Sequence, residues 1–328
     1  MSSRVLSGMR PTGRLHIGHL EGALSSWKEL QTRHECFYFI ADWHALTTNY
    51  ADPSQIKESI YEMVADWIAC GIDPEKSVIF QQSRVKEHSE LTLLLAMITP
   101  LSWLERVPSY KEMREALKNR DLSTYGFLGY PLLQTADIIM YKADYVPVGE
   151  DQVPHIELTR KIVRRFNNFY GETFPEPQPM LTKAPKILGT DGRKMSKSYE
   201  NAIFLSDTPE EITKKIMPMY TDPQRLRRTD PGNPDICGIY YLHKLYSAPG
   251  DIEMVNTECR RAGIGCVDCK KLLLPKLLEA LAPIREKREE LIRSKDYLED
   301  VIAEGTKRAA EVAGETMQEV RSKLGLTH

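Results

Sequence analysis

Short apolar runs alternate with segments of helical period over the first half of the chain. Four such runs predict buried strands, at residues 5–8, 36–41, 77–80 and 145–148. Between them, apolar residues recur every three or four positions, as in residues 56–70 and again from about Pro131 and Asp151, which predicts helices. Alternating strands and helices indicate an α/β fold with a parallel sheet and right-handed crossovers.

The pattern changes after residue 198. Residues 208–220 and 275–326 are rich in Glu, Lys, Leu and Ala at helical period and contain no convincing strand. Residues 221–234 contain three prolines and several arginines, which predicts a surface loop. Because 328 residues exceed the usual size of one domain, we expect two domains, the second of them helical.

Composition excludes several classes of protein. With 41% hydrophobic and 27% charged residues, the chain has the composition of a globular protein, and no signal-peptide core or membrane-length apolar run is evident. We therefore expect a cytoplasmic protein that does not cross a membrane. The formal net charge is −2, so any contact with nucleic acid must come from a local basic patch.

A first candidate motif, His16-Ile17-Gly18-His19, lies where the first predicted strand passes through a turn into a helix. A helix start presents backbone N–H groups and a positive dipole end beside the two imidazoles, an arrangement suited to phosphate oxygens. Gly18 allows a flat base to approach the backbone closely. Taken alone, His-x-x-His spacing is also typical of metal ligands or of a surface pair.

A second candidate motif, Lys194-Met195-Ser196-Lys197-Ser198, lies in a polar segment after Asp191-Gly192. Its lysines can neutralise a pyrophosphate leaving group, and a mobile loop of this kind can close over a triphosphate. Such a segment is ordinarily a solvated basic loop. The presence of both motifs in this order favours a split nucleotide site, which predicts ATP as substrate.

The two motifs resemble the signatures of class I aminoacyl-tRNA synthetases. Residues 7–13, 41–47 and 148–152, with the sequences SGMRPTG, ADWHALT and VGEDQ, are similar more narrowly to bacterial tryptophanyl-tRNA synthetases. The resemblance is closest over the first two hundred residues. It implies a Rossmann-type parallel-sheet catalytic domain in residues 1–200 and a helical anticodon-binding domain in residues 201–328.

The resemblance also implies the reaction. L-Tryptophan and ATP, with Mg²⁺, would give tryptophanyl-adenylate and pyrophosphate, and the tryptophan would then pass to the 3′ end of tRNA(Trp). An amino-acid carboxylate is already a nucleophile near neutral pH, so adenylate formation needs positioning and charge stabilisation without a general base. Members of this family are homodimers, and we expect the same here.

Site residues follow from the same resemblance. The catalytic residues would be His16, His19, Lys194 and Lys197. ATP would contact Arg10, His16, Gly18, His19, Gly149, Asp151, Lys194, Met195, Ser196, Lys197 and Ser198, with Asp151 at the ribose. Tryptophan would contact Leu6, Arg10, His44, Tyr130, Gln134, Asp137, Val146, Val148 and Gln152.

Within this set, Asp137 would accept the indole N–H, which is the single polar group of that ring. Arg10 would orient the carboxylate, while Tyr130 and Gln152 would hold the ammonium group. Simpler interpretations stay open, since Asp137 could lie on a helix surface and Tyr130 could be a core residue. Leu6, Val146 and Val148 could be core residues as well. Gln134 stands where many relatives have methionine, and Leu6 where an aromatic residue is frequent, so the pocket shape differs from theirs.

Four late cysteines, Cys237, Cys259, Cys266 and Cys269, have the spacing C-x21-C-x6-C-x2-C. Four thiolates select zinc or a cubane iron–sulfur cluster. Some tryptophanyl-tRNA synthetases have a [4Fe-4S] cluster at similar cysteines, and this resemblance favours iron–sulfur over zinc and over unligated thiols. Cys36 and Cys70, in a predicted strand and at a helix end, are expected to be buried apolar residues.

Other functions stay open on the sequence alone. Tyrosine–tRNA ligases share the two motifs, so tyrosine is the alternative substrate. A catalytically silent paralogue that binds RNA or senses a metal is disfavoured by the intact histidines and lysines. A small-molecule nucleotidyltransferase would have a shorter chain without the helical C-terminal part or the lysine-rich loop.

Overall fold

The structure is a computed structural model that describes residues 3–108, 121–181 and 187–326, with the side chain of Ser198 outside the description. Its strands are β1 (Arg4–Met9), β2 (Glu35–Ile40), β3 (Ser77–Gln81), β4 (Tyr145–Val148) and β5 (Gln178–Leu181). Its described helices are α1 (Ile17–His19), α2 (Ser25–Leu30), α3 (Asp42–Asn49), α4 (Ile56–Ala69), α5 (Glu87–Ala96), α6 (Leu101–Glu105), α7 (Tyr125–Met140), α8 (Val153–Tyr170), α9 (Pro209–Ile216), α10 (Gly238–Tyr246), α11 (Pro249–Arg260), α12 (Cys266–Arg293) and α13 (Lys295–Lys323). No described helix is both long and apolar enough to span a membrane.

The strands form one parallel sheet in the order β3-β2-β1-β4-β5. The predicted α/β fold with a parallel sheet is therefore confirmed, as are the four predicted strands. The edge strand β5 was not predicted. It is only four residues long, Leu181 is exposed and Pro179 interrupts its donors, so its sequence has little strand character.

The described residues pack as two compact units. The first contains those of Met1–Gly13, Ala23–Lys183 and Ser294–His328, and the second contains Arg14–Gly22 and those of Ala184–Arg293. The first unit holds the sheet and the helices α2 to α8 and α13. The predicted division at residue 200 stays a prediction about domains, and the packing follows a different division.

In the first unit, α13 packs directly on the sheet although it comes last in the chain. A Cβ on Gly305 of α13 would lie 1.9 Å from the backbone oxygen of Ile79 in β3, so only glycine permits this approach. Ala309, Ala313 and Met317 of the same helix are fully buried in the core. The helical period of the C-terminal residues was predicted correctly, but α13 belongs to the sheet unit.

The second unit consists of α1 and α9 to α12 with their loops. Helix α9 begins with a capping box, in which Thr208 accepts from the backbone N–H of Glu211 and the Glu211 side chain accepts from that of Thr208. Ile212 and Ile216 of α9, with Leu273 and Leu277 of α12, are buried in its core. Residues 14–22 belong to this unit because their backbone is hydrogen-bonded to residues 203–205, which follow the second motif.

Candidate active site

The carboxyl ends of three strands in the first unit carry five of the predicted substrate residues. Arg10 follows β1, His44 lies in the helix after β2, and Gly149 to Gln152 follow β4. Gln82, which was not predicted, follows β3. In open parallel sheets this edge is where ligands bind. The sheet topology therefore gathers these residues at one edge.

Asp137 of α7 is fully buried and lies at the centre of a polar network. Its Oδ1 accepts from His88 Nδ1 at 2.6 Å and from Gln82 Nε2 at 2.8 Å. Its Oδ2 accepts from His44 Nε2 at 2.8 Å and again from Gln82 Nε2 at 2.9 Å. Asp137 is thus the buried acceptor that the sequence predicted, although three donors already surround it.

The charge state of Asp137 follows from these contacts. Burial alone would raise the pKa of Asp137, but the hydrogen bonds and charges of His44 and His88 lower it to about 2. An ionised carboxylate is an acceptor only. Any polar ligand group that contacts this carboxylate must therefore be a hydrogen-bond donor.

Three of the other predicted tryptophan residues are buried apolar side chains of the first unit. Leu6, Val146 and Val148 are buried on β1 and β4, and the Tyr130 ring is 5.6 Å from the ring of His155. Gln134 and Gln152 are half-buried, and Arg10 is exposed. Burial, followed by the charge of His44, lowers the pKa of His155 to about 4, so this ring is neutral at neutral pH. The first unit thus contains buried apolar side chains together with the ionised Asp137 carboxylate.

The loop after β4 carries two predicted ATP residues. A Cβ on Gly149 would lie 2.7 Å from Asp151 Oδ1, so glycine leaves room for that carboxylate. Gln152 Nε2 donates to Asp151 Oδ2 at 3.0 Å, while the Asp151 side chain is exposed. An exposed carboxylate held by its neighbour suits hydrogen bonding to ribose hydroxyls.

The first motif forms a single helical turn closed by its own histidines. The backbone N–H of Gly18 donates to His16 Nδ1 at 3.1 Å, and the backbone N–H of His16 donates to His19 Nδ1 at 3.2 Å. Because both Nδ1 atoms accept, each neutral ring carries its proton on Nε2. Both imidazoles therefore have an Nε2–H group to donate, and a phosphate oxygen is a suitable acceptor.

Burial and nearby charge keep these rings neutral. Burial, followed by the charge of Lys197, lowers the pKa of His16 to about 4. Burial, followed by the charges of His16 and Lys197, also lowers the pKa of His19 well below its usual value. Lys197 of the second motif is therefore close enough to act electrostatically on both histidines of the first.

We predict that His16 does not titrate between pH 5 and pH 8, because burial and Lys197 lower its pKa to about 4. Protonation would also remove the acceptor for the Gly18 N–H. Histidine ¹⁵N–¹H NMR over this pH range should show a constant Nε2–H tautomer. A His16 midpoint at about 6.5, the usual pKa of histidine, would contradict the prediction.

The second motif lies in a loop that is held by hydrogen bonds of the Asn201 side chain. Asn201 is almost fully buried. Its side-chain amide nitrogen donates to Asp191 Oδ1 and to the Lys194 carbonyl. Its side-chain oxygen accepts from the backbone N–H of Ser196 at 2.8 Å. The hydrogen bond from Asn201, with those from Arg193, lowers the pKa of Asp191 to about 2. Met195 is buried and Lys194 is exposed. The loop therefore has a fixed base that presents cationic side chains.

Main-chain hydrogen bonds join the first motif to residues 203–205, which follow the second motif, within the second unit. The backbone N–H of Ile17 donates to the Ile203 carbonyl at 3.0 Å, and that of Leu205 donates to the Leu15 carbonyl at 2.9 Å. Both motifs thus belong to one unit, and their joint action on ATP stays a prediction. The remaining predicted ATP residues, Arg10, Gly149 and Asp151, belong to the first unit.

The four late cysteines lie near one another around Arg225 in the second unit. Arg225 Nη1 is 3.8 Å from Cys266 Sγ and 4.0 Å from Cys259 Sγ. Burial, followed by the charges of the other three cysteines, raises the pKa of Cys269 to about 12. Among the described residues, however, no three His, Cys, Asp or Glu side chains are arranged to hold a metal ion. Cys36 and Cys70 are buried, as predicted.

Several site residues were not predicted. Gln82 has a positional signal, since it directly follows a predicted strand. His88 and Asn201 have none, because their roles depend on the partners Asp137 and Asp191, which are distant in sequence or separated by a loop. Arg225 was noted only as part of a basic loop.

Comparison with known proteins supports the resemblance. The family model for class I tRNA synthetases (W and Y) matches residues 1–282. The tryptophan–tRNA ligase of Thermotoga maritima is 57% identical over 325 residues, which cover 98% of this chain and 99% of that protein.

Solved structures give the same result for the fold. Tryptophanyl-tRNA synthetase of Campylobacter jejuni, in complex with ADP and tryptophan, superposes with a TM-score of 0.89 at 34% identity, covering 98% of this chain and 100% of that chain. Tyrosyl-tRNA synthetase of Archaeoglobus fulgidus, in complex with L-tyrosine, has a TM-score of 0.67 at 22% identity, covering 87% of this chain and 90% of that chain. The second similarity concerns the fold alone.

Proposed function

Because the chain belongs to the class I tRNA synthetases for tryptophan and tyrosine, we infer that it is a tryptophan–tRNA ligase. It activates L-tryptophan with ATP to tryptophanyl-adenylate and pyrophosphate, and transfers the tryptophan to the 3′ end of tRNA(Trp). The observation that carries this conclusion is 57% identity to a tryptophan–tRNA ligase over almost the whole chain. A cytoplasmic location is proposed, because tRNA is charged where proteins are synthesised.

The chemistry assigns a role to each set of residues. The tryptophan carboxylate attacks the α-phosphorus of ATP and the bond to the pyrophosphate oxygen breaks, so negative charge grows on the leaving group. The cations of Lys194 and Lys197 and the Nε2–H groups of His16 and His19 stabilise that charge. Mg²⁺ would arrive on the phosphates of ATP, because it prefers phosphate oxygens and water to a cage of protein ligands. A ribose hydroxyl of tRNA then attacks the mixed anhydride and AMP leaves.

Recognition of tryptophan is assigned to the first unit. Ionised Asp137 is the proposed acceptor for the indole N–H, and Leu6, Val146 and Val148 form apolar walls. Arg10 is proposed to orient the carboxylate, and Tyr130 and Gln152 to hold the ammonium group. A ring without a donor at this position forms no hydrogen bond to the carboxylate, and a ring with an acceptor there is repelled by it.

Charging of tRNA tests the function as a whole. Purified protein with ATP, Mg²⁺, labelled tryptophan and unfractionated tRNA should give labelled tRNA that releases tryptophan under mild base. Labelled tyrosine is the control and should give none. Charging with tyrosine in place of tryptophan would overturn the proposal.

The helical second unit is the proposed region for contact with tRNA. Arg227 and Arg228 are exposed in the loop before α10, and exposed arginines on a local surface suit phosphate contacts. A homodimer is proposed for the whole protein. In support, Leu93, Met97 and Leu101 expose between 60% and 72% of their surfaces within nine residues of α5 and α6.

For the four cysteines we propose a [4Fe-4S] cluster, with zinc as the alternative. The support is the proximity of the four sulfurs, which as thiolates would repel one another unless metal ions neutralised them, and the Arg225 guanidinium beside two of the sulfurs. Anaerobically purified protein should be brown, with about four iron and four sulfide per chain. Cys259→Ser should be colourless, whereas Cys70→Ser, the control outside the set, should keep the colour. Colourless wild-type protein, with one zinc or no metal, would contradict the proposal.

A further inference from the structure

Two fully buried side chains with polar atoms lie behind the Asp137 carboxylate. His88 of α5 and Tyr141, directly after α7, have no exposed surface. His88 Nδ1 is 2.6 Å from Asp137 Oδ1, and His88 Nε2 is 2.7 Å from the Tyr141 hydroxyl. The rings of Phe39 and Phe80 lie 6.5 and 6.2 Å from that of His88. His88 is thus held among aromatic rings with one polar partner at each nitrogen.

The protons in this chain of groups can be placed. Asp137 is ionised and accepts only, so the Nδ1 proton of His88 donates to it. Burial, followed by the charge of Asp137, raises the pKa of Tyr141, so its hydroxyl keeps its proton. The Tyr141 hydroxyl, which keeps its proton, donates to His88 Nε2 when that nitrogen carries none. In this arrangement each proton points toward Asp137.

The two oxygens of Asp137 have different surroundings. Oδ1 is bonded only to the fully buried His88 and Gln82, whereas Oδ2 is bonded to His44, which retains 8% of its exposure. One nitrogen of Gln82 bridges both oxygens, and its own Oε1 accepts from the backbone N–H of Trp43 at 3.2 Å. If a ligand donor replaced Gln82 Nε2 at Oδ2, Nε2 would keep its hydrogen bond to Oδ1. Oδ2 is therefore the oxygen that can exchange a donor.

We propose that His88, supported by Tyr141, is a positioning residue that fixes Asp137 so that Oδ2 accepts the indole N–H of tryptophan. The inference rests on the proposed function and deepens it, because it assigns tryptophan selection to a residue that does not touch the substrate. A single hydrogen bond cannot prevent a carboxylate from rotating about its own Cβ–Cγ bond. The short contact to His88 and the bridge from Gln82 together remove that freedom.

The test compares two amides at position 88. Asn places its amide nitrogen where His88 has Nδ1, whereas Gln reaches the position of Nε2. We expect His88→Asn to keep KM for tryptophan within about threefold of wild type, and His88→Gln and His88→Leu to raise it roughly tenfold or more. KM for ATP should change less than about threefold in all three variants. Tyr141→Phe should raise KM for tryptophan by a smaller factor, since the contact to Asp137 remains.

Gln31→Leu is the matched control, because Gln31 is a buried polar residue of the same unit that contacts Ser77 at the opposite end of β3. It should lower thermal stability without changing either KM. Equal KM values for tryptophan in the Asn and Gln variants would overturn the proposal, as would parallel changes in both KM values. Absence of tryptophan-dependent activity in the wild type would instead refute the proposed function, so the two failures are distinguishable.

Discussion

Replacing Lys197 with alanine is expected to lower kcat of tryptophan-dependent ATP–pyrophosphate exchange by roughly 10²-fold or more. The Lys197 ammonium lies close enough to the first motif to lower the pKa of both His16 and His19. Negative charge on the departing pyrophosphate is greatest in the transition state, so the loss should fall on kcat. KM for tryptophan should stay within about threefold of wild type, because the pocket residues belong to the other unit.

The control for this variant is Lys214→Ala. Lys214 is an exposed lysine of the same unit, in the last turn of α9, with no predicted role in the site. Removing its charge should leave kcat unchanged. A Lys197→Ala enzyme with wild-type kcat, or equal losses in the two variants, would refute the role of the second motif.

Replacing Asp137 with alanine is expected to lower kcat/KM for tryptophan by about 10²-fold or more, mainly through KM. The change removes the ionised carboxylate at the centre of this network and leaves the donor groups of His44, Gln82 and His88 without this acceptor. Unpaired buried donors also destabilise the fold, by about 1–3 kcal/mol for each group. Kinetics with tryptophan and ATP varied separately, together with thermal unfolding, measure both effects.

Asp66→Asn is the matched control, because Asp66 is a buried carboxylate of the same unit on α4. It should lower the unfolding temperature without raising KM for tryptophan. Loss of tryptophan affinity in both variants to the same extent would indicate general destabilisation. An unchanged KM for tryptophan in Asp137→Ala would exclude Asp137 as the acceptor.

The sheet was predictable where the sequence has buried, uniformly apolar strands. The central strands β1 and β2 carry consecutive buried residues, so hydrophobicity alone identifies them. β5 lies at the edge, has no fully buried residue and contains a proline, so local pattern gives no signal. The packing of α13 on β3 depends on Gly305, and helical period does not specify which surface a helix covers.

The motifs of the site were predictable because their chemistry is local. Nδ1 of His16 and Nδ1 of His19 each accept a hydrogen bond from a backbone N–H no more than three positions away. The turn therefore forms from its own sequence. The Asp137 network differs, since its donors come from α3, the end of β3 and α5, between 49 and 93 positions away. Only the fold brings those residues together, which is why His88 and Gln82 escaped prediction.

The central claim is that this site activates tryptophan and no other amino acid. Amino-acid-dependent ATP–pyrophosphate exchange, measured with each of the twenty amino acids in turn, tests it most directly. The account predicts exchange with tryptophan and none above background with tyrosine or the rest. Exchange driven by tyrosine, or no exchange with tryptophan, would contradict it.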